Sequence, residues 1–345
     1  MKPVFSKLVF GATVALVLGF AASSAWAADS CSALLGRKKI NIVVPFKPGG
    51  GYDSYARMLA PVLQELTGAR VAVSNISGAN GVSGIKAVAS APPDTITLGV
   101  FDLRDLLAAR LTDPALPPLA DFIALGSFGS TKGAWAARTD SGALLEGNQP
   151  LTASASSGFV SRNLLPARLL DREVKLVRGY LGSADRWLAL LRGDVDVMDG
   201  SSDSIQRFIS SAPGARVLMV LSDAPLSEFP GVPHLAGPGG LVDLRTRKLD
   251  AATRRERMEL ASLAVELSQS TRTVAIARTA PAPVRTCIES AAEQALFSQP
   301  LRDAALQQKL PVEPQRGTTV REQLVRIERA MVKNEAVLKQ LAAGS

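Results

Sequence analysis

Pro45-Phe46-Lys47-Pro48-Gly49-Gly50-Gly51-Tyr52-Asp53-Ser54-Tyr55-Ala56-Arg57 follows the apolar run Ile40-Asn41-Ile42-Val43-Val44. That run reads as a buried strand. Downstream, Tyr55, Met58, Leu59, Val62, Leu63 and Leu66 recur at three- and four-residue spacing, which predicts an amphipathic helix over 53–67. A strand therefore ends in a Pro/Gly loop that delivers a helix N-terminus. The glycines let a ligand approach the backbone closely, and the first helical N–H groups have no partner inside the helix. Such an end favours a carboxylate by about 0.3–1 kcal/mol, more when partly buried. The loop lacks the Gly-Lys-Ser/Thr ending of a phosphate-cradling P-loop, and it lacks GxGxxG spacing. Both absences argue against a nucleotide.

The same alternation continues outward from this stretch. Strands are predicted at 40–44, 70–75, 95–100, 123–128, 151–154, 174–178, 195–198, 216–221 and 274–277. Helices are predicted between and after them, at 53–67, 81–90, 103–111, 161–170, 183–192, 203–210, 284–297, 301–309 and 319–341. This rhythm predicts an α/β fold with parallel sheets covered by helices. Ligands of such sheets bind beyond the carboxyl ends of the strands. The chain contains no internal repeat and no low-complexity segment.

The first 27 residues read as a cleavable leader. Lys2 and Lys7 give a basic start, Leu8–Ala22 an apolar run, and Ala25-Trp26-Ala27 a small-x-small cleavage site. The run is shorter than the roughly 20 residues of a membrane span. This reading predicts export to the periplasm, with the mature chain starting near Ala28. The remaining length suffices for two domains with their own cores. Two cysteines, Cys31 and Cys287, remain in that chain. An oxidising compartment invites a disulfide between them; the alternative is two reduced thiols.

The formal charge is +8, or +6 without Lys2 and Lys7. The basic runs Arg37-Lys38-Lys39 and Arg254-Arg255-Glu256-Arg257 are short and carry no aromatics. That argues against a nucleic-acid stacking surface and leaves solvated charge that mildly steers anions. The one histidine, His234, has no nearby His or Cys partner, which argues against a metal site. No GxSxG elbow is present, so a hydrolytic triad is not indicated. No motif implies a cofactor.

PFxPGGxxDxxAR after the first strand resembles the solute-binding proteins of tripartite tricarboxylate transporters, the Bug-type receptors. Val73-Ser74-Asn75-Ile76-Ser77-Gly78-Ala79-Asn80-Gly81 is similar to their VxNxPGAxG, and Pro93-Asp94-Thr95-Ile96-Thr97-Leu98 to PDGYTL. Tyr180-Leu181-Gly182 followed by Leu190-Leu191-Arg192-Gly193-Asp194-Val195-Asp196-Val197-Met198 resembles YKG…LLxGxVDxM, and Phe229-Pro230-Gly231-Val232-Pro233 resembles FPxVPT. The order and spacing of these motifs cover most of the mature chain. The resemblance implies a two-lobe, periplasmic-binding-protein-like (type II) fold with a ligand cleft between the lobes. Lobe one is expected over 28–123 plus 225–345, and lobe two over 124–224. The segment 239–273 departs from the family pattern; its part 244–257 is unusually charged and receives no functional reading.

The resemblance also implies which residues face the ligand. From the first loop they are Pro48, Gly49, Gly50, Gly51, Tyr52 and Asp53; Tyr52 stands where the family often has Thr. Asp53 reads either as a helix N-cap or as the residue that holds the loop or meets a ligand amine. The second loop offers Ser154, Ser156, Ser157, Gly158 and Ser161, whose hydroxyl and N–H groups suit a carboxylate without a fixed cation. Gly158 and Ser161 match the first Gly and the Ser/Thr of GxGSxxHL, whereas Val160 replaces the second Gly and Leu164 the His. Tyr180 and Asp199 complete the set. Asp102, with Arg104, stands where the family has small polar residues. It reads either as a helix cap or as a carboxylate that pairs with a ligand amine.

The function so implied is non-enzymatic capture of a small carboxylate, either a di- or tricarboxylate or an amino-acid-like molecule. Delivery would be to the membrane permease subunits of a tripartite transporter. Two alternatives stay open: a periplasmic sensor that presents the same ligand to a membrane signalling receptor, and a diverged receptor without the usual ligand. An enzyme on the same scaffold is disfavoured by the lone histidine.

Overall fold

A computed structural model describes residues 31–343 apart from 32, 112 and 157. The expected leader, 1–27, and Ser157 of the second loop therefore lie outside the described residues. The chain is a mixed α/β protein with two sheets.

The first sheet contains β1 (Lys39–Val44), β2 (Arg70–Asn75), β3 (Ile96–Phe101), β4 (Phe122–Thr131), β10 (Ser270–Ala277) and β11 (Gln315–Arg316), in the order β11-β4-β10-β3-β1-β2. The second contains β5 (Gly133–Arg138), β6 (Leu151–Ser154), β7 (Val174–Val177), β8 (Val197–Ser201) and β9 (Ala215–Leu221), in the order β7-β6-β8-β5-β9. β1, β2 and β3 run parallel, as do β6, β7 and β8. The expectation of wholly parallel sheets fails at β5 and β10, which pair antiparallel with their neighbours. The physical reason is where the chain enters. Parallel strands such as β1 and β8 carry their carboxyl ends to the junction of the sheets. β5 and β10 begin at that junction and run away from it.

Helix α1 (Gly51–Thr67) packs Tyr55, Ala56, Met58, Leu59, Val62 and Leu63 against the first sheet, and Gly68 ends it in the left-handed conformation at φ 66°. A core around β1, α1 and α9 (Ala282–Leu296) fills this half, and a smaller one around Trp187, Leu190, Val195 and Ile205 fills part of the other. The largest core runs through both halves, from Phe101 and Leu106 to Leu164 and Leu165 and on to Leu260 and Ala264. Leu260 and Ala264 belong to α8 (Ala251–Ser268), inside the region whose sequence departs from the family. Asp250 caps it, accepting from the Ala252 and Thr253 N–H groups at 3.0 Å each. Nearby, Arg257 holds Asp171 at 2.6 Å and the Leu169 carbonyl at 3.0 Å.

Cys31 and Cys287 form a disulfide with Cα atoms 5.3 Å apart. It ties the start of the described chain to α9. Between β3 and β4 lie α3 (Leu103–Ala109) and a short 3₁₀ turn. No helix among the described residues is long and apolar enough to cross a membrane.

Candidate ligand cleft

A cavity of about 320 Å³ lies between the two sheets, beyond the carboxyl ends of β1, β6 and β8. The first loop forms one wall. Gly49 takes φ 84°, a conformation open to glycine at no steric cost, and Gly50 becomes the N-cap of α1 with no side-chain cap. Asp53 is therefore not the N-cap. It sits in the first turn of α1 and reaches back. One carboxylate oxygen accepts from the Gly49 N–H at 2.9 Å and from Arg57 Nε at 3.0 Å; the other accepts from Asn75 Nδ2 at 3.0 Å. Asn75 also donates to the Phe46 carbonyl at 2.9 Å. Burial alone raises the Asp53 carboxyl, but the Arg57, Gly49 and Asn75 hydrogen bonds outweigh it and hold it below the usual carboxylate range. This is the loop-holding role.

Pro48, Gly49, Gly50, Gly51, Tyr52 and Asp53 all line the cavity. Gly51 faces the opposite wall: a Cβ there would stand 3.5 Å from Arg207 Nη2 and 3.7 Å from Ser204 Oγ. Burial pushes the Tyr52 phenol well above its ordinary pKa. Asp102 and Asp105 add to the rise and Arg162 and Arg272 oppose it.

The second wall comes from β6, β8, α5 (Ser183–Arg192) and α6 (Ser202–Ser211). Ser156 and Tyr180 line it. Ser156 Oγ donates to Asp199 Oδ2 at 2.8 Å, and Arg186 Nη1 donates to Asp199 Oδ1 and to its carbonyl, both at 2.9 Å. Asp199 is fully buried behind the wall, so it positions Ser156 and Arg186 and does not itself line the cavity. Ser154 is buried and off the cavity; Ser161 closes a turn by donating to the Gly158 carbonyl at 3.0 Å. Gly158 also lies off the cavity, where a Cβ would stand 2.6 Å from the Asp105 carboxylate. The second loop therefore contributes less of the lining than its serines suggested.

Asp102 is the clearest correction. Its carboxylate is 2% exposed and does not line the cleft. One oxygen caps α3 by accepting from the Arg104 N–H at 2.9 Å, and the other accepts from the Thr271 N–H at 2.7 Å. Both are occupied by backbone, which removes the basis for pairing with a ligand amine. Arg104 points elsewhere, donating to Gln269 Oε1 at 3.2 Å and Gln323 Oε1 at 3.1 Å.

The expectation of an anion site without a fixed cation also fails. Arg162 and Arg272, both buried, reach the cavity. Arg162, in a π-helical turn over Val160–Leu164, meets Asp105 at 2.9 Å, and its Nε donates to the Ser268 carbonyl at 3.2 Å. Arg272, on β10, lies 4.7 Å above the Tyr55 ring and donates to both oxygens of Asp203. At the mouth, Lys47 Nζ is 3.4 Å from Asp185. Sequence reading missed these charges. Their signal was charge inside elements that bury most of their residues: Arg272 within a fully buried strand, and Asp105, beside Arg104, among Leu103, Leu106 and Leu107.

His234 is buried in the return loop, its Nε2 3.3 Å from the Pro238 carbonyl. Among the described residues, no group of three His, Cys, Asp or Glu could hold a metal ion. What the cleft offers is a helix N-terminus, hydroxyls and guanidinium groups around a small, partly aromatic space, suited to binding an anion.

No family model matches the chain. A UPF0065 protein from the tcbD-tcbE intergenic region of Pseudomonas sp. strain P51 is 32% identical over 217 residues, covering 59% of this chain and 64% of that protein. Protein BugT of Bordetella pertussis is 31% identical over 218 residues, covering 59% of this chain and 66% of BugT. The match thus spans just under two thirds of each relative. Among solved structures, the R. palustris protein Rpa4515 with adipate superposes with a TM-score of 0.66 at 19% identity, over 89% of this chain and 97% of that one. The periplasmic binding protein BugD does so with 0.63 at 18% identity, over 86% and 97%. These last likenesses are of fold, and the fold is the two-lobe one of periplasmic binding proteins. With the motifs that run from Pro45 to Pro233, they make the chain similar to BugT in sequence over part of its length and to periplasmic solute-binding proteins in fold over most of it.

Proposed function

We propose that this protein captures a small carboxylate between its lobes in the periplasm and hands it to the membrane permease subunits of a tripartite transporter. The observation that carries the reading is the open N-terminus of α1, presented to the same small cavity as the Arg162 and Arg272 side chains. N–H groups without intrahelical partners, a helix dipole and charged donors each favour a carboxylate. Two relatives in fold were solved with malate and adipate, which supports the ligand class. The chain passes from the first sheet to the second at Lys132, between β4 and β5. We therefore move the first expected lobe boundary, between 123 and 124, to this residue, because 124–131 pair within the first sheet.

The test is a thermal-shift screen of the purified mature protein against mono-, di- and tricarboxylates and amino acids, with calorimetry on each hit. A ligand that binds only the native state stabilises by about 2.7 kcal/mol at a hundredfold excess over Kd. A saturable shift with a carboxylate is expected; none across the panel overturns the reading. Deletion of the gene separates the partners. Loss of uptake is expected, whereas loss of induction with uptake intact assigns the protein to a sensor.

A further inference from the structure

We propose that the cleft selects a monoanionic carboxylate carried on an aromatic ring, of the benzoate class, over aliphatic di- and tricarboxylates; this deepens the carboxylate reading and rests on it. Aromatic residues are only 5% of the chain and it has three tyrosines. Yet Phe46, Tyr52, Tyr180 and Phe208 all line this one cavity, with Met198 among them. The third tyrosine, Tyr55, lies behind the wall under Arg272. Aromatic surface is therefore concentrated where a ligand would sit.

The rings are also held in place. Phe46 stacks on Tyr52 with centroids 5.2 Å apart and planes 26° apart. Across the cleft, Phe208 stacks on Trp187 at 5.3 Å and 16°. The first lobe thus presents a fixed ring pair, and the second a ring backed by the buried Trp187, which reduces the ordering cost of gripping a flat guest. A cavity of about 320 Å³ is near the lower end for small-molecule sites, which fits one ring better than two.

Charge accounting points the same way. The cations that line the cavity each face a carboxylate already: Lys47 with Asp185 at 3.4 Å, Arg162 with Asp105 at 2.9 Å, Arg186 with Asp199 at 2.9 Å, and Arg272 with Asp203 at 2.7 Å. A di- or trianion would bring further charge into a space whose positive charge is largely neutralised, and would lose its hydration without equal return. A single carboxylate needs only the end of α1, nearby hydroxyls and the residual field of the guanidiniums.

Calorimetry of the purified mature protein with benzoate, malate, adipate and citrate tests the proposal. Benzoate should bind saturably, and the three aliphatic acids at least about tenfold more weakly. Tyr180→Ala, at a half-buried position, should weaken benzoate about two- to tenfold, the range of one aromatic contact, while Tyr180→Phe retains it. Phe208→Leu is a second wall variant with the same expected direction. Aliphatic acids binding as tightly as benzoate would overturn the selectivity and leave the carboxylate reading standing. Equal losses for both ligand classes on wall substitution would do the same. Binding of none of the four, together with a silent wider panel, removes both.

Discussion

Arg272 on β10 donates to both carboxylate oxygens of Asp203 at the start of α6, at 2.8 and 2.7 Å, joining the first lobe to the second. Arg272 is 3% exposed, and its guanidinium is also stacked over Tyr55. Arg162 makes the complementary link, from the second lobe to Asp105 of the first. Two buried ion pairs of opposite polarity therefore cross the cleft beside the cavity. Each fixes the distance between the lobes as well as the charge of the wall.

Removing one partner of such a pair strands the other charge out of water. Asp203→Ala or Arg272→Ala is expected to destabilise the protein by about 3–5 kcal/mol. Urea unfolding of the wild type and both variants measures it. Replacing both residues with apolar ones of similar volume should recover much of the loss.

The same pair gives stability a pH dependence. Burial raises the Asp203 carboxyl, but the Arg272 charge and its hydrogen bonds prevail and hold it below the ordinary range. A depressed carboxyl contributes stability that is complete above the unfolded value of about 3.9 and is lost as pH falls through the folded one. The stability gap between wild type and Asp203→Asn should thus be constant from neutral pH to about 5 and narrow below about 4. A gap that widens on acidification contradicts this.

The sequence carried the local half of this picture. The apolar run before Pro45, the glycines and the helical spacing after Asp53 are all short-range signals, and β1, its loop and α1 follow from them. β5 escaped because Gly133-Ala134-Trp135-Ala136-Ala137-Arg138 is mostly small residues; pairing with β8 and β9 makes it a strand. The second loop misled for a related reason. Serines and a glycine mark a turn, but which of them face a ligand depends on strands distant in sequence, here on Asp199 drawing Ser156 into place. Arg162 and Arg272 were unreadable as pocket residues because their partners lie on the other lobe.

Asp53 offers a sharper separation of folding from binding. Asp53→Ala removes the acceptor for Gly49, Arg57 and Asn75 together. Stranded donors in a partly buried loop should cost about 1–3 kcal/mol. Ligand affinity should fall more than stability alone explains, since the Gly49–Gly51 backbone loses its tether. Asp53→Asn, which keeps acceptor oxygen, should retain part of both. Equal affinity in all three proteins would show that this loop does not hold the ligand.

The Cys31–Cys287 bridge closes a sequence separation of 256 residues. Restricting so long a loop in the unfolded chain should stabilise by about 2–4 kcal/mol. The paired change Cys31→Ser with Cys287→Ser, or reductant at neutral pH, should lower the urea midpoint accordingly. Ligand affinity measured well below that midpoint should be unchanged, because the bridge joins the N-terminal segment to α9, away from the cavity lining.

Gly51 tests the helix terminus directly. It begins α1, lines the cavity, and has room for a methyl group, whose nearest neighbour would be Arg207 Nη2 at the ordinary contact distance of 3.5 Å. Its φ is not positive, so alanine fits the backbone. Gly51→Ala should leave stability unchanged or raise it by about 0.4–1 kcal/mol through the unfolded chain. The methyl group would nonetheless stand over the first N–H groups of α1 and keep a carboxylate from reaching them. Carboxylate affinity should therefore fall while the melting temperature holds or rises. Gly84→Ala is the control for strain, because its Cβ would meet the Pro45 Cα at 2.6 Å and the Ile76 carbonyl at 2.7 Å, backbone atoms that cannot yield cheaply. That variant should lose stability. If Gly51→Ala binds carboxylates as the wild type does, the anion is held elsewhere in the cleft, with the guanidiniums of Arg162 and Arg272 as its anchors.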